Sequence, residues 1–259
     1  MGSRTHADNC ILAMHCTLAG TNKCNALCSS YIACHGYNGA GGRIANAGLP
    51  EEYRLVTLQN SPVRTDQAEA YTVIDSYVNT FQRQFGEVAS DRQRIKSLYL
   101  FSLEPGTGKT TSAAAILNEY ITRHYIGSFQ RNRQALERPA YFLDVNAWQT
   151  LFLGFNRSHV PQETAEPLAA EYYAMEQRAK AAPFAVLDDI GVRSASEAFR
   201  ADLHGVINHR VASALPTIYT SNIPIEELAQ VFDKRLADRV RDMCGVIPFK
   251  GESKRGMRK

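Results

Sequence analysis

The sequence predicts an α/β fold with a mainly parallel sheet flanked by helices, and three observations carry that expectation. From Ser97 onward, short β-type runs alternate with helical stretches, the signature of strand–helix–strand units. The first run leads through a glycine-containing loop straight into a helical stretch. A later run, FAVLDD, ends in two adjacent acids, and in doubly wound sheets such strand ends are where ligands bind.

The runs that read as strands are 97–103 (SLYLFSL), 140–145 (AYFLDV), 184–189 (FAVLDD), 217–222 (TIYTSN) and 246–250 (VIPFK). Helices are expected between them over 110–125, 147–153, 167–181, 196–212 and 225–243, the last broken near Phe232. Ahead of the first strand, Ala70, Val73, Ile74, Val78, Phe81 and Phe85 recur at helical spacing, predicting one amphipathic helix that ends near Gly86. Residues 1–48 differ in kind. They are rich in Cys, Gly, Asn and Ala and poor in large apolar side chains. The organisation expected is therefore a small module (1–48), a linker with an amphipathic helix (49–94) and an α/β domain (95–259).

With 259 residues and 44% hydrophobic content the chain can bury a substantial core. No run approaches the roughly 18 apolar residues that a membrane span needs, and the start MGSRTHADNC lacks the apolar stretch of a signal peptide. A cytoplasmic protein without membrane association is expected. The net charge of +3 is unevenly placed. Residues 250–259 hold five cations against Glu252, a charge of +4, leaving −1 on residues 1–249. The body is not basic, so any nucleic acid must meet a local patch, this tail, or a surface assembled from several subunits.

The chemistry begins at 104–111, EPGTGKTT. Between a strand and a helix, this stretch (Glu104, Pro105, Gly106, Thr107, Gly108, Lys109, Thr110, Thr111) has the make-up of a phosphate-binding loop. Its glycines let backbone N–H groups turn toward phosphates, Lys109 reaches the β and γ oxygens, and Thr110 offers a hydroxyl to Mg²⁺. Leu103 stands where the full pattern has its first Gly. In FAVLDD, Asp188 is placed to hold Mg²⁺ and Asp189 to act as general base on the attacking water; a loop or cap acid is the other reading of Asp189. Asn222, ending TIYTSN, can orient that water, or can be a turn residue before Pro224. Together these predict ATP and Mg²⁺ as cofactors and ATP hydrolysis as the reaction.

This ordered set resembles the AAA+ family, and within it the helicase loaders of the DnaC/DnaI type and their relative, the transposition helper ATPase IstB. EPGTGKTT, VLDDIGVRSASEAFRADLHGVINHR, LPTIYTSNIP, KRLADRV and FKGESKR carry the likeness. It implies a homo-oligomer with ATP sites between subunits, in which Asn222 is sensor 1 and Arg239 the arginine finger, with Arg235 competing one turn away. It places Arg255 at the position of a sensor 2-like arginine, but few residues remain after the last expected strand, so the usual helical lid is expected to be reduced or absent. It implies a replicative hexameric DNA helicase and single-stranded DNA as partners. Asp189 departs from the Glu of most AAA+ enzymes, which implies slow turnover. The alternatives are a transposition helper and a nucleotide-regulated adaptor with little hydrolysis.

Five of the six cysteines lie in the first 34 residues. Cys10, Cys16, Cys24 and Cys28 are four soft donors suited to structural Zn²⁺; Cys34 or His35 competes with Cys10, and His15 with Cys16. The alternative is a cysteine-rich arm without metal. DnaI-type loaders have an N-terminal zinc module that contacts the helicase, and the resemblance implies that role here. Arg123, Arg131, Arg133 and Arg138, interleaved with Tyr125 and Phe129, read as a solvated helix end rather than a single-strand path. Trp148, Tyr172, Tyr173, Cys244, His204 and His209 read as structural.

Overall fold

The computed structural model describes residues 6–86, 94–191 and 195–253. Five apolar runs form the sheet: β1 (Ser97–Phe101), β2 (Ala140–Asp144), β3 (Phe184–Asp188), β4 (Thr217–Ser221) and β5 (Cys244–Pro248). All pair in parallel, in the order β2-β3-β4-β1-β5. Alternation along the strands sends side chains to two cores. Leu98, Leu100, Phe142, Val186, Ile218 and Ile247 face one, and Tyr99, Tyr141, Leu143, Leu187 and Tyr219 face the other. With both faces covered, the strands need no polar side, which is why they read as continuous apolar runs.

The first core is roofed by α3 (Ala68–Val78) and α4 (Lys109–Gln130), with residues from the short α1 (Ser29–His35) and α2 (Gly42–Asn46) joining it. The second is closed by α5 (Val145–Phe155), α6 (Gln162–Ala181), α7 (Glu197–Ala212) and α8 (Lys234–Met243). Trp148 of α5 stacks on Tyr172 of α6 at 4.7 Å and donates its indole N–H to the Tyr172 carbonyl.

Element bounds depart from expectation where one residue dominated the reading. Pro167 lies inside α6, which begins five residues earlier at Gln162. The carbonyl it leaves without a donor is four residues back, in the first turn, where the interruption costs least. β5 starts two residues ahead of the expected run, with Cys244 opposite Ser97. The stretch over 67–85 is α3 followed by a 3₁₀ segment, Asn79–Phe85, and ends at Gly86 as expected. The break near Phe232 separates a 3₁₀ turn, Ile225–Gln230, from α8, whose first turn is capped by the Asp233 carboxylate accepting Leu236 N–H.

The N-terminal residues are bonded to the sheet domain. Ala47 O accepts the N–H of Phe142 on edge strand β2 at 2.7 Å. Arg43, 5% exposed, donates to the carbonyls of Ala33, Ala135 and Leu136 and to Glu137. Among the described residues no element follows β5, and no helix is long and apolar enough to cross a membrane.

Candidate functional site

The glycine loop links the end of β1 to the first turn of α4. Gly106 and Gly108 have φ of 76° and 98°, a region costly to any residue with a Cβ. At Gly108 a Cβ would also lie 2.7 Å from Val63 Cγ1. Gly108 precedes the helix and no side chain caps it, so the loop leads directly into the N-terminal end of α4, the end that favours an anion. Leu103, the departure from the full loop pattern, is 69% exposed and outside the turn.

Four expected side chains converge beside this turn, and Asp189 joins them through its backbone N–H. Lys109 Nζ donates to Asn222 Oδ1 at 2.7 Å and to the Glu104 carbonyl at 3.2 Å. Thr110 Oγ1 donates to Asp188 Oδ2 at 3.1 Å. Asp188 accepts a second bond, from Thr220 Oγ1 at 2.7 Å, and the same oxygen of Thr220 accepts the Asp189 N–H. Burial pushes the Asp188 carboxyl up to about 6; the negative charges of Asp144 and Asp189 add to this, and the two hydroxyl donors oppose it.

Asp189 has φ 61°, a conformation Asp tolerates better than most residues because its short polar side chain bonds locally. Its Oδ2 accepts Nδ2–H of Asn146 at 2.9 Å, from the first turn of α5. The residue after Asn222 is fixed at both backbone groups: Ser221 Oγ accepts Ile223 N–H, and buried Tyr99 donates its hydroxyl to Ile223 O at 2.7 Å. Asn146, Thr220 and Tyr99 did not stand out in the sequence. Strand pairing was the signal for the first two, since Asp144 aligns with Asp188 and Leu187 with Tyr219, which places residue 146 and Thr220 beside the acid pair.

Arg239 is outside this cluster. Its Nη1 donates to Asn208 of α7 at 2.6 Å, whereas Arg235 is exposed. Arg255 lies outside the described residues.

At the N-terminus the expected tetrahedral set Cys10, Cys16, Cys24 and Cys28 is not assembled. Among the described residues no group of three or more His, Cys, Asp or Glu stands at metal-holding spacing. Each of the last three sits on its own hydrogen-bonded turn, and all four rim one cavity of about 260 Å³, wider than the space between four sulfurs 2.3 Å from an ion. Donor chemistry and shared rim suit a soft ion; the spacing does not. Two competitors are packed into the module: His35 accepts Ile11 N–H at Nε2, and Cys34 is fully buried, its thiol pushed up to about 12 by burial. His15 lines the cavity, as does His6, whose buried Nε2 has no hydrogen-bond partner among the described residues; His6 was not anticipated.

Comparison with known proteins shows what the chain resembles. A family model described as IstB-like ATP binding protein matches residues 168–259. The replicative helicase loader DnaI of Bacillus subtilis (strain 168) is 25% identical over 192 residues, 69% of this chain. The replicative helicase loader DnaC of Escherichia coli (strain K12) is 23% identical over 208 residues, 77% of this chain and 76% of DnaC. The chain is similar to the helicase loaders DnaI and DnaC and, over its C-terminal part, to IstB-like ATP binding proteins. A crystal structure of the DnaC helicase loader aligns over 78% of this chain and 100% of that one, with a TM-score of 0.53 at 20% identity, a likeness of fold. The chain spans about half of DnaI, 52% of its length.

Proposed function

We propose that this chain is an ATP-hydrolysing switch that loads a replicative hexameric DNA helicase of the DnaB type onto single-stranded DNA. The observation that carries the ATPase part is the single cluster formed by Lys109, Thr110, Asp188, Asp189 and Asn222 at the start of α4. The loader part rests on similarity to two helicase loaders over more than two thirds of the chain.

In this reading the backbone of 104–111 and Lys109 hold the phosphates of ATP, and Thr110 and Asp188 hold Mg²⁺. Bound there, Mg²⁺ supplies positive charge to the phosphate oxygens. Asp189 polarises the attacking water and Asn222 orients it. Arg239, released from Asn208, reaches the γ-phosphate of a neighbouring subunit in a homo-oligomer, with exposed Arg235 as its competitor; Arg255 contributes as a sensor 2-like arginine. The module of residues 1–48 contacts the helicase, and Cys10, Cys16, Cys24 and Cys28, which rim one cavity, would hold a structural Zn²⁺ only if they stood closer together than they do here. The residues before the sheet (49–94) link it to the ATPase unit (95–259), which acts in the cytoplasm.

Co-purification with a DnaB-type helicase in the presence of ATP tests the loader reading, and no association in any nucleotide state rejects it. Equal ATP binding by parent and Lys109→Ala rejects the phosphate site. Less than about one zinc per chain after chelator-free purification rejects the metal. The IstB-like match over 168–259 supports a second reading, a transposition helper, which capture of a transposase in place of a helicase would favour.

A further inference from the structure

We infer that Gln67 is a positioning residue for the phosphate loop and couples that loop to the basic C-terminal segment. The inference rests on the nucleotide-site reading above and adds a residue and a regulatory connection to it.

Gln67 immediately precedes α3 and is 7% exposed. Its side-chain amide is used at both ends. Nε2 donates to Thr107 O at 3.2 Å and to Lys250 O at 2.7 Å, while Oε1 accepts Lys250 N–H at 3.2 Å. One glutamine therefore holds a carbonyl of the glycine loop and both backbone groups of Lys250, two residues beyond β5. Its own backbone is fixed, accepting Tyr71 N–H and donating to Val63 O. Tyr71 in turn bonds Ser61 and Ser112 of α4, and Val63 lies against Gly108. The whole segment over 61–71 is seated on the loop and the start of α4.

A trans peptide is planar, so its C=O and N–H point in opposite directions. Holding Thr107 C=O turns the N–H of Gly108 away from Gln67. At φ 98° Gly108 has no Cβ to bar the flipped orientation, and the Gln67 bond is what selects one of the two. Glutamine suits the place because it donates and accepts. A glutamate could still accept Lys250 N–H, but it would set a carboxylate oxygen against two carbonyls.

Lys250 is the first of the five cations in 250–259, and its ammonium also pairs with exposed Glu69 at 2.8 Å. Nucleotide that loads the Thr107–Gly108 peptide changes the load on Gln67 and hence on the root of the basic segment. By reciprocity, an anionic partner that pulls on the segment changes nucleotide affinity by the same factor.

The test measures amide hydrogen exchange of peptides covering 246–259, with and without saturating Mg²⁺ and a non-hydrolysable ATP analogue, alongside affinity for fluorescent ADP. It uses the full chain as parent, Gln67→Leu, Gln67→Glu and Glu69→Ala, with thermal unfolding confirming that each folds. In the parent, nucleotide should change exchange at 250–253 by about fivefold or more. Both Gln67 variants should lose that response at nucleotide concentrations that still saturate them, and bind ADP about tenfold more weakly. Glu69→Ala should keep both properties. A parent without the exchange response, or a Gln67 variant with parental response and affinity, overturns the coupling while leaving the nucleotide site standing. A parent that binds no nucleotide overturns both.

Discussion

Lys109 Nζ lies 2.7 Å from Oδ1 of Asn222, so the lysine expected to reach a phosphate is held by the amide expected to orient water. A charge-assisted bond of this kind contributes about 1.5–3 kcal/mol, and ATP must replace it. Asn222→Ala should therefore bind ATP as tightly as the parent or up to several-fold tighter, while hydrolysis falls by about 10²-fold or more as water positioning is lost. Lys109→Ala should lose binding itself. Equilibrium titration and single-turnover hydrolysis separate the two effects, and weaker ATP binding by Asn222→Ala would contradict the competition.

The Asp189 carboxylate accepts Asn146 Nδ2–H at 2.9 Å, and a carboxylate bonded to a donor is a poorer acceptor for water. Asn146→Ala should raise basal ATP turnover by a few fold with little change in ATP affinity. Asp189→Asn should bind ATP normally and hydrolyse it about 10²-fold more slowly. Should Asn146→Ala instead slow turnover, the amide is supporting the acid rather than restraining it.

The contrast between Asn222 and Asn146 shows how far the sequence reaches. Lys109, Asp188 and Asn222 were legible because each closes a recognisable strand or opens a helix, and the site sits at those ends. The five strands were legible because both sheet faces are covered. Asn146, Thr220 and Gln67 were not, since each acts across a tertiary contact that no local pattern encodes. Gln67 meets Lys250 over a separation of 183 residues. The choice of Asp at 189 has a local reason visible only in the backbone, its φ of 61°. The cysteine spacing named the residues that rim one cavity, but spacing alone could not set their distances.

Arg210 is fully buried and joins α7 to the end of α6 and the start of β4. It donates to Thr217 Oγ1 and to the carbonyls of Ala179, Ala182 and Pro216. Burial lowers its guanidinium to about 10, still charged at neutral pH. Arg210→Ala strands several buried acceptors and should cost about 3–5 kcal/mol in urea unfolding. Arg210→Lys should recover only part, because an ammonium cannot reproduce the planar fork. A loss below about 1 kcal/mol for Arg210→Ala would mean that water replaces these bonds.

Asp188 gives the nucleotide-free protein a pH dependence of definite sign. Its carboxyl is raised from 3.8 to about 6, burial being the main cause, so between these values the folded chain binds more protons than the unfolded one. The contribution to stability is complete below about pH 4 and is lost as pH rises through 6. Above about pH 7 the buried charge costs about 3 kcal/mol relative to the protonated form. Asp188→Asn removes the titration while keeping an oxygen for one of the Thr110 and Thr220 hydroxyls and presenting its NH2 group to the other. In metal-free buffer its stability should match the parent near pH 4, exceed it increasingly through pH 6, and then hold a constant margin. Urea unfolding at a series of pH values measures that margin, and one that stays the same at every pH would show that Asp188 does not titrate in this range.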